Sequence, residues 1–335
     1  MSDSKSVKLT SAEIASLWQE YISHTHSLCM LYYLIATTQD EEILSVLKEV
    51  NALVGVTLEE TQSILNKEQL SIPSGFTSDD VNTKAAKLFP DSFSLNYIKN
   101  LSRVMASVCG LMVTMSTRAD IRTYFETCTV RAFKAFSLVS DVLLKKGLYV
   151  RPPFIQPEQS NEFVSGKEYL DGRRLIGEVR PLNAIEISHV FANIEANLTG
   201  IILTKAYGQT TSYNEVKEFM NSAQKSGKEI IKDLTDLLTS SDLPAPMPSD
   251  THVNPSTERA FSDKYMVYGM ITMMGSGISD YASALAASMR SDLKTTYSEF
   301  LTKTSKLARK GSDIMITNHW LEQPPGPAQA NSNKS

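Results

Sequence analysis

Apolar positions recur along the chain at helical spacing. Ile14, Trp18, Tyr21, Leu28, Tyr32 and Ile35 lie three, four or seven residues apart, the stripe that a long helix turns toward its neighbours. Thr10-x-x-Glu13 places a capping box at its start. Ile43, Leu47, Val50 and Val54 mark one face of a second helix from Asp40 to Glu68, which ends before Pro73. From Ser71 to Pro90 the period is lost, so this stretch reads as a long connection with one short helix after Thr77-x-x-Asp80. Two more amphipathic helices follow, Asp91 to Met115 and Asp120 to Lys146, the last stopped by Gly147 and then Pro152-Pro153.

The pattern then begins again. Ser116-Thr117-Arg118-Ala119-Asp120-Ile121 matches Ser288-Met289-Arg290-Ser291-Asp292-Leu293 at an offset of 172, and Ser140-Asp141 with Ser312-Asp313 keeps that register. Nearer the start of each copy the offset is 173, pairing Leu9, Glu13 and Trp18 with Leu182, Glu186 and Phe191. Asn183-x-x-Glu186 repeats the capping pattern. The chain therefore divides into a first bundle over 1–155, a linker over 156–181 carrying Gly166, Gly172 and Gly177, a second bundle over 182–325, and a polar tail over 326–335 expected to be disordered. Four long helices per copy, with the long connection after the second, predict an all-α fold: a tandem duplication of a ferritin-like four-helix bundle with a crossover.

Composition narrows the partners. Lys+Arg 33 against Asp+Glu 37 leaves a net charge of −4, which offers no footprint for nucleic acid. Tyr265 to Ser279 is the most apolar uncharged stretch and is too short for the ~20 residues of a membrane span. Its Met266, Met270, Met273 and Met274, with Gly269, Gly275 and Gly277, suit a core helix, with a binding groove as the rival reading. The small residues that follow would also let this helix pack closely on the other copy or on another chain. Cys29, Cys109 and Cys128 form no CxxC and align with Ile202, Tyr281 and Phe300, as inert buried thiols would. Few cysteines and no apolar leader over Met1 to Glu13 predict a cytoplasmic protein.

Several segments resemble a known family. They include Leu9-Thr10-Ser11-Ala12-Glu13-Ile14, Gly75-Phe76-Thr77, Gly147-Leu148-Tyr149-Val150-Arg151-Pro152-Pro153, Arg180-Pro181-Leu182-Asn183-Ala184-Ile185-Glu186-Ile187 and Trp320-Leu321-Glu322-Gln323-Pro324-Pro325. They are similar to those of a Bacillus-type domain-of-unknown-function family of tandem ferritin-like bundles, distantly similar to spore coat protein F. The resemblance implies the fold over nearly the whole chain, allows a spore-associated location, and implies no activity.

A bundle core invites a two-metal reading, which needs Glu-x-x-His on two helices and a Glu on each of the others. Only Glu186-Ile187-Ser188-His189 has that spacing, and Glu186 is already the capping residue; Glu20 and His24 are four apart on one face. These four are the metal candidates. The duplication tests them, because His24 and His26 align with Asn197 and Thr199, His189 with Ser16, His319 with Gly147, and His252 with Asp79 or Asp80, so no histidine recurs. What does recur is Arg118 with Asp120 and Arg290 with Asp292, where the third helix turns into the fourth, and Asp141 with Asp313. The first set reads as a structural clamp beside a helix start, with anion binding as its rival. Asp141 and Asp313 read as solvent-facing or interhelix residues. No nucleophile elbow, phosphate loop or dinucleotide fingerprint occurs. The favoured expectation is a non-catalytic structural or interaction protein needing no cofactor, with a protein partner or self-association. The rivals are a carboxylate-rich iron or manganese protein and a small-molecule binder with its pocket between helices.

Overall fold

The computed structural model describes residues 7–156, 160–172, 179–246 and 252–327. Apart from Gly326 and Pro327, the expected disordered tail lies outside the described residues, as does Gly177 of the linker. The described part holds eight α-helices and no strand. The first copy contributes α1 (Ser11–Thr37), α2 (Glu41–Lys67), α3 (Asp91–Met115) and α4 (Ala119–Lys145). The second contributes α5 (Ala184–Thr210), α6 (Asn214–Thr239), α7 (Asp263–Ala287) and α8 (Ser291–Thr317). Each copy is thus a four-helix bundle with a long connection between its second and third helices, and the chain is a duplicated bundle. The stretch after Thr77 is one turn of 3₁₀ helix, Ser78–Asp80, with a capping box of its own.

Caps set the helix ends. Thr10 and Asn183 each accept a hydrogen bond from the amide of the glutamate three residues on, whose side chain returns to the cap amide. Asp40 caps α2 through the amides of Glu42 and Ile43. The second and fourth helices of each copy are followed by a left-handed residue at matching positions: Gln69 with Asp242, and Gly147 (φ 67°) with His319 (φ 56°). Glycine adopts that conformation without strain and a histidine does so at a cost. His319 is therefore a helix stop standing where the first copy has glycine.

The two copies share a core. One continuous apolar cluster runs from Met30, Leu34 and Phe93 of the first copy to Tyr207, Tyr265 and Met266 of the second. Phe261 stands edge-on to Tyr33 at 5.0 Å between ring centres and stacks on Tyr265 at 4.7 Å. The long connections bind each other across the seam. Asn82 N donates to Ala260 O at 2.8 Å and Asn254 N to Leu88 O at 3.0 Å. The Asn82 side-chain amide donates to Arg259 O, and that of Asn254 to Lys87 O. An offset of 172 carries the first set onto the second with the copies exchanged, so a pseudo-two-fold axis relates the bundles. Ser262 N also donates to Asp80 O, a bond that its equivalent Pro90 does not repeat because proline has no N–H. Farther along α3 the seam carries polar contacts to α5 and α7, with Lys99 on Glu195 at 2.8 Å, Asn100 on Thr199 at 2.7 Å and Arg103 on Asp280 at 3.1 Å.

Candidate functional site

The duplicated polar residues build a clamp in each copy. The Glu13 side chain is fully buried. One oxygen accepts from the amide and hydroxyl of Thr10; the other accepts from the amides of Thr117 and Arg118, at the start of α4. Glu186 repeats this with Asn183 N, Met289 N and Arg290 N, and also takes a two-pronged ion pair from Arg180. Burial pushes both carboxyls up, but these donors outweigh it and hold each down at about 2. Arg118 grips Asp120 with two bonds and reaches Glu68 and Val7 O; Arg290 grips Asp292 likewise and reaches Arg180 O. Their donors are turned to protein oxygens, an arrangement that fastens the α3–α4 and α7–α8 turns. Asp141 is exposed; Asp313, also exposed, pairs with Arg309 one turn before it.

The metal candidates occupy two different bundles. Glu186 is engaged by its clamp, and His189, half-buried, offers its carbonyl to Asn193. Glu20 and His24 do meet, with His24 Nδ1 at 3.5 Å from a Glu20 oxygen and 2.9 Å from the Glu20 carbonyl. Among the described residues no three of His, Cys, Asp and Glu are grouped to hold a metal ion. Glu20 is instead a buried carboxyl whose pKa is raised by burial, with the Cys109 thiol donating to it at 3.6 Å. The neighbouring Cys128, together with burial, raises the Cys109 thiol in turn. All three cysteines are buried and free.

Glu20, His24, Cys109 and Cys128 line a cavity of about 60 Å³ among α1–α4. A second cavity, of about 180 Å³, lies among α5–α8 and extends to the seam, where α1 and α3 complete its wall. The two are the same place in the repeat: fifteen of the seventeen positions lining the first have equivalents lining the second. The chemistry at those positions has diverged. Glu20 becomes Asn193, His24 becomes Asn197, Cys109 becomes Tyr281 and Met105 becomes Gly277. Leu53 and Val54 become Ser226 and Gly227, and the lost side-chain volume opens the second cavity. Asn197 is held there by Tyr281, which exchanges hydrogen bonds with it at 2.8 and 3.1 Å. Three buried polar atoms on the wall have no partner: Asn193 Oδ1, Ser226 Oγ and Arg103 Nε. Buried polar atoms are nearly always hydrogen-bonded, so three around one space mark it out.

Periodicity alone concealed this site. Asn193, Asn197 and Ser226 sit among apolar residues, and Arg103 belongs to the polar face of α3 that meets the second copy. The available signal was the aligned pair Glu20 and Asn193, two polar residues at one inward-facing register.

No curated protein matches the chain. A crystal structure titled a "putative spore coat protein" from Bacillus halodurans aligns with 46% of this chain and all of its own, at 16% identity and a TM-score of 0.42. The family described as "Protein of unknown function (DUF3231)" matches residues 2–160 and again residues 171–332, one match for each bundle. The chain therefore belongs to the DUF3231 family, as two consecutive copies of its domain.

Proposed function

We propose that the protein is a non-catalytic binding protein whose second bundle, completed by the first, holds a small molecule. The observation that carries this reading is the 180 Å³ cavity with three unpartnered polar atoms on an otherwise largely apolar wall. Ligand sites have this composition: apolar surface for affinity and a few polar groups for orientation. Its volume slightly exceeds the ~150 Å³ of an engineered apolar cavity that takes up benzene. The buried polar residues of the clamps fasten helix ends, whereas those of the cavity retain bonding capacity.

A thermal-unfolding screen of uncharged fragments tests the proposal, run on the wild type and on Ala196→Leu, which grows a side chain into the cavity. Binding to the folded state raises Tm, so at least one fragment should raise it by about 2 °C or more in the wild type and leave the variant unmoved. A screen without such a fragment, or one whose effects persist in Ala196→Leu, overturns the reading.

A further inference from the structure

We infer that the ligand of the second cavity is a compact, uncharged aromatic carrying one hydroxyl, a molecule of the phenol class; this rests on the reading of that cavity as a binding site. Four observations lead there. The first is charge. Arg103 and Asp280 neutralise each other at 3.1 Å on the rim, and His26 is kept uncharged near neutrality because burial lowers its pKa to about 4. An ionised ligand would leave water with no counter-charge waiting for it.

The second is the kind of polar atom left over. Asn193 is 2% exposed; its Nδ2 donates to His189 O, which turns Oδ1 away as an acceptor in want of a donor. Ser226, 6% exposed, has a hydroxyl able to give or accept, and Arg103 Nε is a donor without an acceptor. A hydroxyl group is both donor and acceptor and can serve either side of this set.

The third is the wall. Met270, Met273 and Met274 face the cavity, and thioethers pack adaptably and favourably against aromatic edges. The fourth is size, because 180 Å³ accommodates one substituted ring. The first copy supplies the contrast: at the same register it places Glu20, His24 and Cys109 around about 60 Å³, too small for a ring.

Calorimetric titration of the full-length protein with p-cresol, toluene and p-toluate tests the assignment. These share a methylated ring and differ in a hydroxyl, no polar group and a carboxylate. A hydrogen bond read by the site should make p-cresol bind about tenfold tighter than toluene. The p-toluate ion should bind more weakly than either. Asn193→Leu or Ser226→Ala should bring p-cresol down to the affinity of toluene while leaving toluene unchanged; Ser226→Ala removes only an unpartnered oxygen, so the fold tolerates it. Equal affinities for p-cresol and toluene, tightest binding of p-toluate, or a preference that survives both variants overturns the ligand class and leaves the cavity a binding site. Failure of all three probes likewise overturns the ligand class, and a silent fragment screen overturns the binding reading itself.

Discussion

Glu20 is 1% exposed, and its polar company is a thiol and a histidine ring. Burial raises its pKa, so the folded protein prefers the neutral acid. In the unfolded chain the group titrates near 4.5. Stability from this residue is therefore complete below that pH and is lost as the pH rises through the higher folded value. Glu20→Gln removes the ionisation and keeps the shape. The variant should be more stable than the wild type at pH 8 by about 1–2 kcal/mol and equal to it near pH 4, measured from urea midpoints at the two pH values. A variant less stable than the wild type at both would show that the carboxylate is needed charged. Cysteines at 109 and 128 were legible as buried from their alignment with Tyr281 and Phe300. Their proximity to Glu20 was not, because three helices bring the groups together.

At the scale of elements, the clamps join what the chain separates. Thr10-x-x-Glu13 and Asn183-x-x-Glu186 announce helix starts, and local spacing is enough to see them. Spacing could not reveal that the same carboxylates receive amides more than a hundred residues away, at the starts of α4 and α8. Glu13→Ala should cost about 3 kcal/mol, since it leaves the amides of Thr10, Thr117 and Arg118 buried without partners. Loss of the clamp should also show in acid. A carboxyl held at about 2 contributes stability that is present above 4.5 and is lost as the pH falls through about 2. Urea unfolding between pH 5 and pH 2 should therefore show a shallower loss of stability in Glu13→Ala than in the wild type, and identical slopes would argue against the clamp. The left-handed stops were half legible: Gly147 is a familiar helix-ending residue, and its partner His319 is not.

For the whole molecule, the repeat was the most legible feature and the seam the least. Offsets of 172 and 173 give two copies, apolar periodicity gives four helices in each, and the Thr77-x-x-Asp80 cap pattern gives the short turn of the first. They say nothing of how the copies meet, because Lys99, Asn100 and Arg103 look like the solvent face of a helix until the other copy is set against them. The shared core makes a prediction. Residues 1–156 produced alone would expose the surface that Phe261 and Tyr265 cover, and should unfold without a cooperative transition or aggregate. Mixing with residues 160–335 should restore a single cooperative unfolding. A monomeric first half that melts cooperatively at the temperature of the intact chain would mean that the seam contributes little.

Tethering the copies has a further consequence. Two identical bundles meeting about a true two-fold axis would carry two identical interiors, and any change to one would be imposed on the other. Joined in one chain, the bundles are free to specialise: one interior has tightened around a carboxyl and two thiols while the other has opened, and the wall of the opened one borrows side chains from its twin.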